Sequence, residues 1–140
     1  MKAIIYFSLS KEQTSKAIAH TFEGDVFRIK NTGKNYKTKF AQMFMYGYKT
    51  VFNKKVDFSM PEINFENYDE IVLVSPVWAG RVNVFMRQYL EKAEIKNKNI
   101  TIIGSCDGGY KNYFESYEGI LDESNIIVEK VIYVKGERRN

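Results

Sequence analysis

The order in which strand-like and helix-like segments follow one another constrains this chain more than any other feature. Short apolar runs typical of buried strands alternate with stretches whose apolar residues recur at helical spacing. The strongest strand signal, residues 71–74, is Ile-Val-Leu-Val without polar alternation, which is typical of a strand buried on both faces. The predicted strands are residues 2–7, 26–29, 71–74, 100–104 and 126–134, and the predicted helices are 14–22, 40–52, 82–90 and 113–121.

This βαβαβαβαβ order predicts an α/β fold, a doubly wound five-stranded parallel sheet with helices on both faces. The chain has 140 residues, 44% of them apolar, which suits one domain over residues 1–140 with one well-covered core. We expect the apolar stripe of residues 40–52 to pack into that core, with lysines on the other face. Gly47 is expected to interrupt or end this helix.

The composition excludes several classes of function. One cysteine and one histidine allow no internal disulfide and make a zinc site improbable, so a reducing, cytoplasmic setting is expected. The apolar start, residues 1–7, is too short for a signal peptide or a membrane span. The net charge is +4, the basic residues are spread along the chain, and they predict a solvated basic surface, with a weak anionic partner as the alternative. No nucleic-acid-binding motif accompanies them.

The loops that follow the first, third and fourth predicted strands are the candidate binding site, because open parallel sheets bind ligands beyond the carboxyl ends of their strands. The first loop, residues 8–15, offers hydroxyls at a helix N-terminus, which suit either a phosphate or ordinary helix capping. It contains no P-loop and no G-x-G-x-x-G, so nucleoside triphosphates and dinucleotides are poor candidates.

The second and third loops carry flat side chains. Trp78 can stack on a planar ligand or cap the core. In the third loop, Asp107 can accept a hydrogen bond from a ring N–H and Tyr110 offers a second flat face, although this tyrosine could equally begin the next helix's apolar stripe. Cys106 is expected to be a small polar neighbour of the ligand rather than a nucleophile, because no histidine base stands beside it.

Together these loops resemble those of the flavodoxin family over most of the chain. Ser8-Leu9-Ser10 with Gln13-Thr14 resembles the family's phosphate loop, Pro76-Val77-Trp78 its second loop, and residues 104–114 its third. The resemblance implies the strand order 2-1-3-4-5 and one bound FMN, with Trp78 and Tyr110 enclosing its ring. It assigns as cofactor-binding residues Ser8, Ser10, Gln13, Thr14, Pro76, Val77, Trp78, Cys106, Asp107 and Tyr110.

The chain departs from the family pattern in two places. Lys11-Glu12-Gln13 replaces a glycine-containing stretch of the phosphate loop, and no fifth helix follows the fifth strand. Without that helix, Ile or Val side chains of the fourth and fifth strands are expected to be exposed on one face of the sheet. A homodimer that buries this face is the corresponding prediction; the alternative is that residues 36–55 fold over the gap.

The resemblance favours an FMN-binding electron carrier that serves redox partner proteins, because Trp78 and Tyr110 stacked on both ring faces would obstruct a nicotinamide. The alternatives are an FMN-dependent NAD(P)H:quinone-type reductase and a flavin-free interaction module on the same fold. A phosphoacceptor receiver domain is excluded because Phe7-Ser8, rather than acidic residues, ends the first strand. No catalytic or metal-binding residue is assigned. Arg81 and Lys111 are expected to lie near the ring and raise its reduction potential.

Overall fold

The computed structural model describes residues 1–9, 14–33 and 36–139, which form a mixed β-sheet with helices on both faces. The strands are β1 (Lys2–Phe7), β2 (Asp25–Asn31), β3 (Phe58–Ser59), β4 (Glu70–Trp78), β5 (Arg81–Val82), β6 (Asn99–Cys106), β7 (Ile126–Val134) and β8 (Glu137–Arg139). The helices are α1 (Thr14–Ala19), α2 (Lys39–Val51), α3 (Val84–Lys92) and α4 (Tyr113–Glu118), and a 3-10 turn covers Phe65–Asn67.

The sheet contains the five predicted strands but is neither five-stranded nor wholly parallel. β2, β1, β4, β6 and β7 pair in parallel in that spatial order, which is 2-1-3-4-5 for the predicted strands. β3 and β8 extend the two edges antiparallel, and β5 pairs antiparallel with β4. The prediction of a purely parallel sheet was therefore wrong, because strands of two or three residues are too short to leave a periodic signal.

The helix limits also differ from the predicted ones. α1 ends at Ala19, three residues early. Val82 belongs to β5, and Asn83 caps α3 by accepting a hydrogen bond from the Met86 N–H at 3.0 Å. α4 ends at Glu118. Among the described helices, none combines the length and apolar character needed to cross a bilayer.

The core is divided by the sheet into two layers. Ile5 and Phe7 of β1 point into the larger layer with α3 and α4, whereas Ile4 and Tyr6 point into a smaller layer with Ile18 of α1. Successive side chains of β1 are thus buried in opposite layers, which explains why its sequence is an unbroken apolar run.

The sheet face that packs against α1 exposes less apolar surface than expected. Ile103 of β6 and Val131 of β7 are each only 2% exposed and belong to the smaller core layer. The exposed apolar side chains of β7 are Ile126 and Val128, near its amino end, at 63% and 56%. The homodimer stays a prediction, but β6 contributes no exposed isoleucine to it.

Helix α2 contradicts the predicted burial most clearly. It runs through Gly47 without interruption, and its apolar stripe faces outward, with Phe40 79%, Phe44 64% and Phe52 62% exposed. The side chains it buries are Tyr46 and Thr50, which are 3% exposed. The prediction that residues 40–52 present their apolar stripe to the core was wrong.

Polar contacts explain this orientation of α2. The Thr50 hydroxyl accepts a hydrogen bond from the Val84 N–H at 3.3 Å, which satisfies a donor at the start of α3. Gln88 of α3 binds the segment that follows α2. It donates to the Lys54 carbonyl at 2.7 Å and accepts from the Val56 N–H at 3.1 Å. These hydrogen bonds and the packing of the Tyr46 ring in the core together fix which face of α2 points inward.

A buried hydroxyl cluster joins α4 to the sheet beneath the loops. Tyr113 and Tyr117 lie 2.7 Å apart at their hydroxyls, and Ser75 Oγ lies 3.0 Å and 3.3 Å from them. The Tyr113 ring fills the space over Gly104, where an added Cβ would come within 2.5 Å of it. Burial raises the pKa of Tyr117 to about 12 and that of Tyr113 well above its ordinary value.

The cluster predicts a loss of stability in alkali. A tyrosine whose pKa is raised by folding contributes stability that is complete below pH ~10 and is lost as pH rises through the folded-state value. Tyr117→Phe should therefore reduce the slope of unfolding free energy against pH between about 10 and 12, by up to ~1.4 kcal/mol per pH unit. Urea unfolding across that window measures the slope, and equal slopes in the two proteins would contradict the assignment.

Candidate functional site

A cavity of about 630 Å³ opens at the carboxyl end of the parallel strands. Its wall combines Leu9 after β1, Thr14 of α1, the β4–β5 hairpin, the end of β6, and the turn between β7 and β8. Helix α2 closes one side. A volume in this range and a mainly apolar wall with a few polar groups are typical of small-molecule sites.

Most of the residues predicted from the sequence meet at this cavity. Thr14, Pro76, Val77, Trp78, Cys106 and Asp107 lie in its wall. Ser8 is buried immediately before Leu9 of the wall. Ser10 and Gln13 lie outside the described residues. Tyr110 is not part of the wall.

The β4–β5 hairpin positions Trp78. Ala79 and Gly80 form its two-residue turn with φ of 54° and 73°, the positive values that such tight hairpin turns require. The hairpin is tied to α4, because the Gly80 carbonyl accepts from the Asn112 N–H at 3.0 Å and the Val82 N–H donates to Ser116 Oγ at 2.9 Å. Trp78 therefore lies in a hairpin that is hydrogen-bonded to α4, rather than in a loop without such contacts.

Trp78 is stacked on Tyr46 of α2. Their ring centroids lie 4.9 Å apart at an interplanar angle of 16°, and Trp78 meets Phe7 and Phe85 at steep angles. Asn31 donates a hydrogen bond to the Tyr46 hydroxyl at 3.3 Å, and burial raises the pKa of that hydroxyl. Both rings of the stack line the cavity. Sequence reasoning assigned Tyr46 no role, because it lies outside the predicted apolar stripe of this helix and outside the three candidate loops.

Tyr110 lies outside the cavity wall. Its side chain is 38% exposed, and its carbonyl accepts a hydrogen bond from the Tyr113 N–H at 3.0 Å, one turn before α4. The aromatic pair in the cavity wall is thus Trp78 with Tyr46, and the enclosure of a ring between Trp78 and Tyr110 stays a prediction.

The end of β1 offers groups that suit an anion. Ser8 is 3% exposed, and its Oγ has no hydrogen-bond partner within the described ranges. Arg28 of β2 reaches the same place and donates to the Ser8 carbonyl at 3.3 Å. A buried hydroxyl without a partner costs free energy unless a ligand or water supplies one. The phosphate position implied by the first loop is therefore chemically consistent with these residues.

A lysine lies in the cavity wall at a place that sequence reasoning missed. Lys135 and Gly136, with φ of 51° and 80°, form the turn between β7 and β8 and lie in the cavity wall. The Lys135 N–H donates to the Cys106 carbonyl at 2.8 Å, which fixes the turn to the end of β6. Arg81 and Lys111, expected near the ring, are not in the wall.

The third loop places a thiol and a carboxylate at the cavity. Cys106 Sγ donates to the Gly108 carbonyl at 3.3 Å, and Asp107 is exposed. Burial, with a smaller contribution from the Asp107 charge, raises the pKa of the Cys106 thiol. Such a thiol is not activated as a nucleophile. Within the described part of the chain, no group of three or more His, Cys, Asp or Glu could hold a metal ion.

This environment predicts slow alkylation of Cys106. Iodoacetamide at pH ~8 should react with it more slowly than with a free thiol such as glutathione, because less thiolate is present. Asp107→Asn should accelerate the reaction by removing the neighbouring negative charge. Mass spectrometry of the ligand-free protein gives both rates, and a native rate equal to that of glutathione would contradict the raised pKa.

Comparison with known proteins locates the fold. No family model matches the chain, and no curated protein matches its sequence. A flavoprotein from Lactobacillus acidophilus NCFM, solved in complex with FMN, superposes with a TM-score of 0.76 at 16% identity, covering 94% of this chain and 91% of that one. The NMR structure of the apo-form of the flavoprotein from the same organism superposes with a TM-score of 0.67 at 20% identity, covering 96% of this chain and 92% of that one.

A candidate flavoprotein from Bacteroides eggerthii DSM 20697 is also similar, with a TM-score of 0.74 at 15% identity over 94% of this chain and 86% of that one. At these identities the likeness concerns the fold. The chain is thus similar in architecture to flavoproteins, and its site must be argued from its own residues.

Proposed function

We propose that this protein binds one FMN in the cavity and passes electrons through it. The observation that carries the proposal is the joint presence, in one cavity wall, of the flat aromatic side chain of Trp78 and of Thr14 at the start of α1. The fold supports it, because one solved structure of similar architecture is an FMN complex.

The ring would lie against the aromatic side of the cavity. Trp78, fixed by its hairpin and backed by Tyr46, offers a rigid apolar surface, and Pro76 and Val77 continue it. Asp107 can accept a hydrogen bond from the ring N–H. Cys106, whose thiol stays protonated, contributes contact without reacting.

The phosphate would lie at the other end, beside the first loop. Ser8 brings a buried hydroxyl that has no partner among the described residues, and Thr14 lies in the cavity wall. Ser10 and Gln13 complete this group in the proposal. Arg28 adds a positive charge close to the Ser8 carbonyl, which offsets part of the cost of burying an anion.

FMN, when bound, supplies the redox chemistry, and the protein supplies binding, orientation and local charge. The roles of the side chains are to hold the ring, to keep water from its buried face and to bias its charge state. No side chain is proposed as an acid, a base or a nucleophile.

Two electron-transfer roles remain in the proposal. The first is a carrier that docks with redox partner proteins. The second is an NAD(P)H-dependent reductase. The position of Tyr110 favours this role, because one of the two rings expected to obstruct a nicotinamide does not line the cavity. Anaerobic mixing of the FMN-loaded protein with NADPH or NADH separates them: rapid bleaching of the flavin absorbance indicates the reductase, and no bleaching indicates the carrier.

Gly47 gives a direct test of the cavity. It lies in the wall, and a Cβ built there meets no atom within 4 Å, so a larger side chain would enter the open space. Gly47→Leu should weaken FMN binding by more than tenfold while stabilising α2 by up to ~1 kcal/mol, because leucine favours a helix over glycine. Fluorescence titration and urea unfolding measure the two effects.

The control is Gly119→Leu, at the end of α4, where an added Cβ also meets nothing within 4 Å and which lies outside the cavity wall. That variant should bind FMN as the native protein does. A Gly47→Leu variant with native affinity would place the FMN elsewhere. Failure of the native protein to bind FMN would favour the flavin-free interaction module.

Lys135 should raise the reduction potential of bound FMN. Reduced flavin carries a negative charge at neutral pH, and a cation in the cavity wall stabilises it. Lys135→Gln should lower the potential by on the order of 20 mV, since an exposed charge is largely screened by solvent. Lys111→Gln, outside the wall, should leave it unchanged. Spectroelectrochemistry gives the values, and an equal effect of the two substitutions would contradict the assignment.

A further inference from the structure

The outward face of α2 and its C-cap carry four exposed aromatic side chains at four-residue spacing. Phe40, Phe44, Tyr48 and Phe52, spaced four residues apart, form what we call the α2 ridge, and they are 79%, 64%, 44% and 62% exposed. The Phe40 and Phe44 rings lie 6.5 Å apart, and the Tyr48 and Phe52 rings 5.0 Å apart. Met43 and Val51 widen the row, at 69% and 43% exposed.

The ridge is a fixed feature of the fold. The opposite face of the helix is held by the Tyr46–Trp78 stack and by the Thr50 hydrogen bond to the start of α3. Turning the ridge inward would break both contacts. Single exposed apolar residues are ordinary, but a contiguous exposed row of this length is typical of a surface that binds a partner.

The segment of sequence that contains the ridge is basic. Residues 26–56 contain eight Lys or Arg residues and no Asp or Glu, whereas the rest of the chain is net acidic. Lys37, Lys54 and Lys55 are exposed beside the helix. In the described ranges, none of these lysines takes part in an ion pair. Lys54 Nζ lies 5.9 Å from the centre of the Tyr48 ring, so charge and apolar surface meet along the same helix.

We propose that the α2 ridge docks the protein on the surface of an anionic phospholipid bilayer. The rings enter the boundary between headgroups and acyl chains, and the lysines contact the phosphate-bearing headgroups. Lysine stems can extend along apolar surface while their ammonium groups stay in the polar layer. An exposed apolar helix face flanked by cations is the combination that such a surface attracts.

Other occupants fit the ridge less well. A second copy of this chain, related by a two-fold axis, would bring two cationic surfaces together. An acidic protein would satisfy the charge, but the apolar side chains at Phe40, Phe44 and Phe52 stand on a convex helix and bring no hydrogen-bonding groups of their own. Protein partners are usually anchored by side chains that fill pockets with paired polar contacts. A bilayer can bind a convex apolar ridge without pockets and without paired polar contacts.

The inference rests on the exposed face of α2 and not on FMN. If the proposed function also holds, docking has a consequence, because Met43 and Gly47 of the same helix line the cavity. The cavity would then lie close to the lipid surface, within reach of an electron carrier dissolved in it. Membrane binding and FMN binding are separate measurements and can fail independently.

Vesicle co-sedimentation tests the proposal directly. Vesicles of phosphatidylcholine with about one third phosphatidylglycerol should bind the protein at low salt and release it as salt rises, because the attraction to the headgroups is screened. Vesicles of phosphatidylcholine alone should bind it at least tenfold more weakly. No binding to the anionic vesicles would overturn the proposal.

Two pairs of variants separate the ridge from general surface properties. Phe40→Ser with Phe44→Ser should weaken vesicle binding at least tenfold, whereas Ile126→Thr with Val128→Thr, at similarly exposed sites on β7, should not. Lys54→Gln with Lys55→Gln should weaken it roughly tenfold or more, whereas Lys96→Gln with Lys111→Gln should have little effect. If the variant and its control lost vesicle binding equally, in either the aromatic or the lysine comparison, the proposal would be overturned.

A spectroscopic readout distinguishes insertion from loose electrostatic attachment. In Phe44→Trp, brominated lipids should quench the added indole emission when the protein binds, whereas in Ile126→Trp the added emission should persist. Absence of quenching at position 44 would overturn insertion of the ridge. A native dimer in sedimentation that Phe40→Ser with Phe44→Ser converts to a monomer would overturn the proposal in favour of a second copy.

Discussion

The parallel pairing of β1, β4 and β6 is the constraint on which the rest of the structure depends. Tyr6 of β1 pairs with Val74 of β4, and Ser75 of β4 pairs with Gly104 of β6, so the three strands end together. The loops that follow them therefore meet although they are far apart in the chain. This meeting, more than any single residue, creates the cavity and determines which side chains can act on one ligand.

The sequence predicted the parallel strands and the loops at their ends because both leave strong local signals. An unbroken apolar run indicates a strand buried on both faces, and the topology then places the following loop at the site. Thr14, Trp78 and Asp107 could be found in this way. Lys135 could not, because it lies in a turn closed by the three-residue strand β8, which has no detectable period.

Helix α2 shows what periodicity leaves undetermined. The spacing of its apolar residues predicts a helix with an apolar face, but not whether that face is buried. Here Tyr46 and Thr50 make the contacts that hold the helix, and Phe40 and Phe44 stay outside. The same inversion brings Tyr46 to Trp78 and leaves a basic, aromatic surface beside the cavity. The orientation of α2 thus determines both the proposed FMN site and the proposed lipid contact.

The most direct measurement of the central claim compares FMN with riboflavin. Both carry the same ring, so the proposed contacts with Trp78 and Tyr46 are the same for both ligands. Only the phosphate, proposed to lie at Ser8 and Thr14, distinguishes them. Calorimetric titration of the ligand-free protein should show FMN binding at least tenfold more tightly than riboflavin. Equal affinities would contradict the phosphate site, and no binding of either would contradict the account of the cavity as a flavin site.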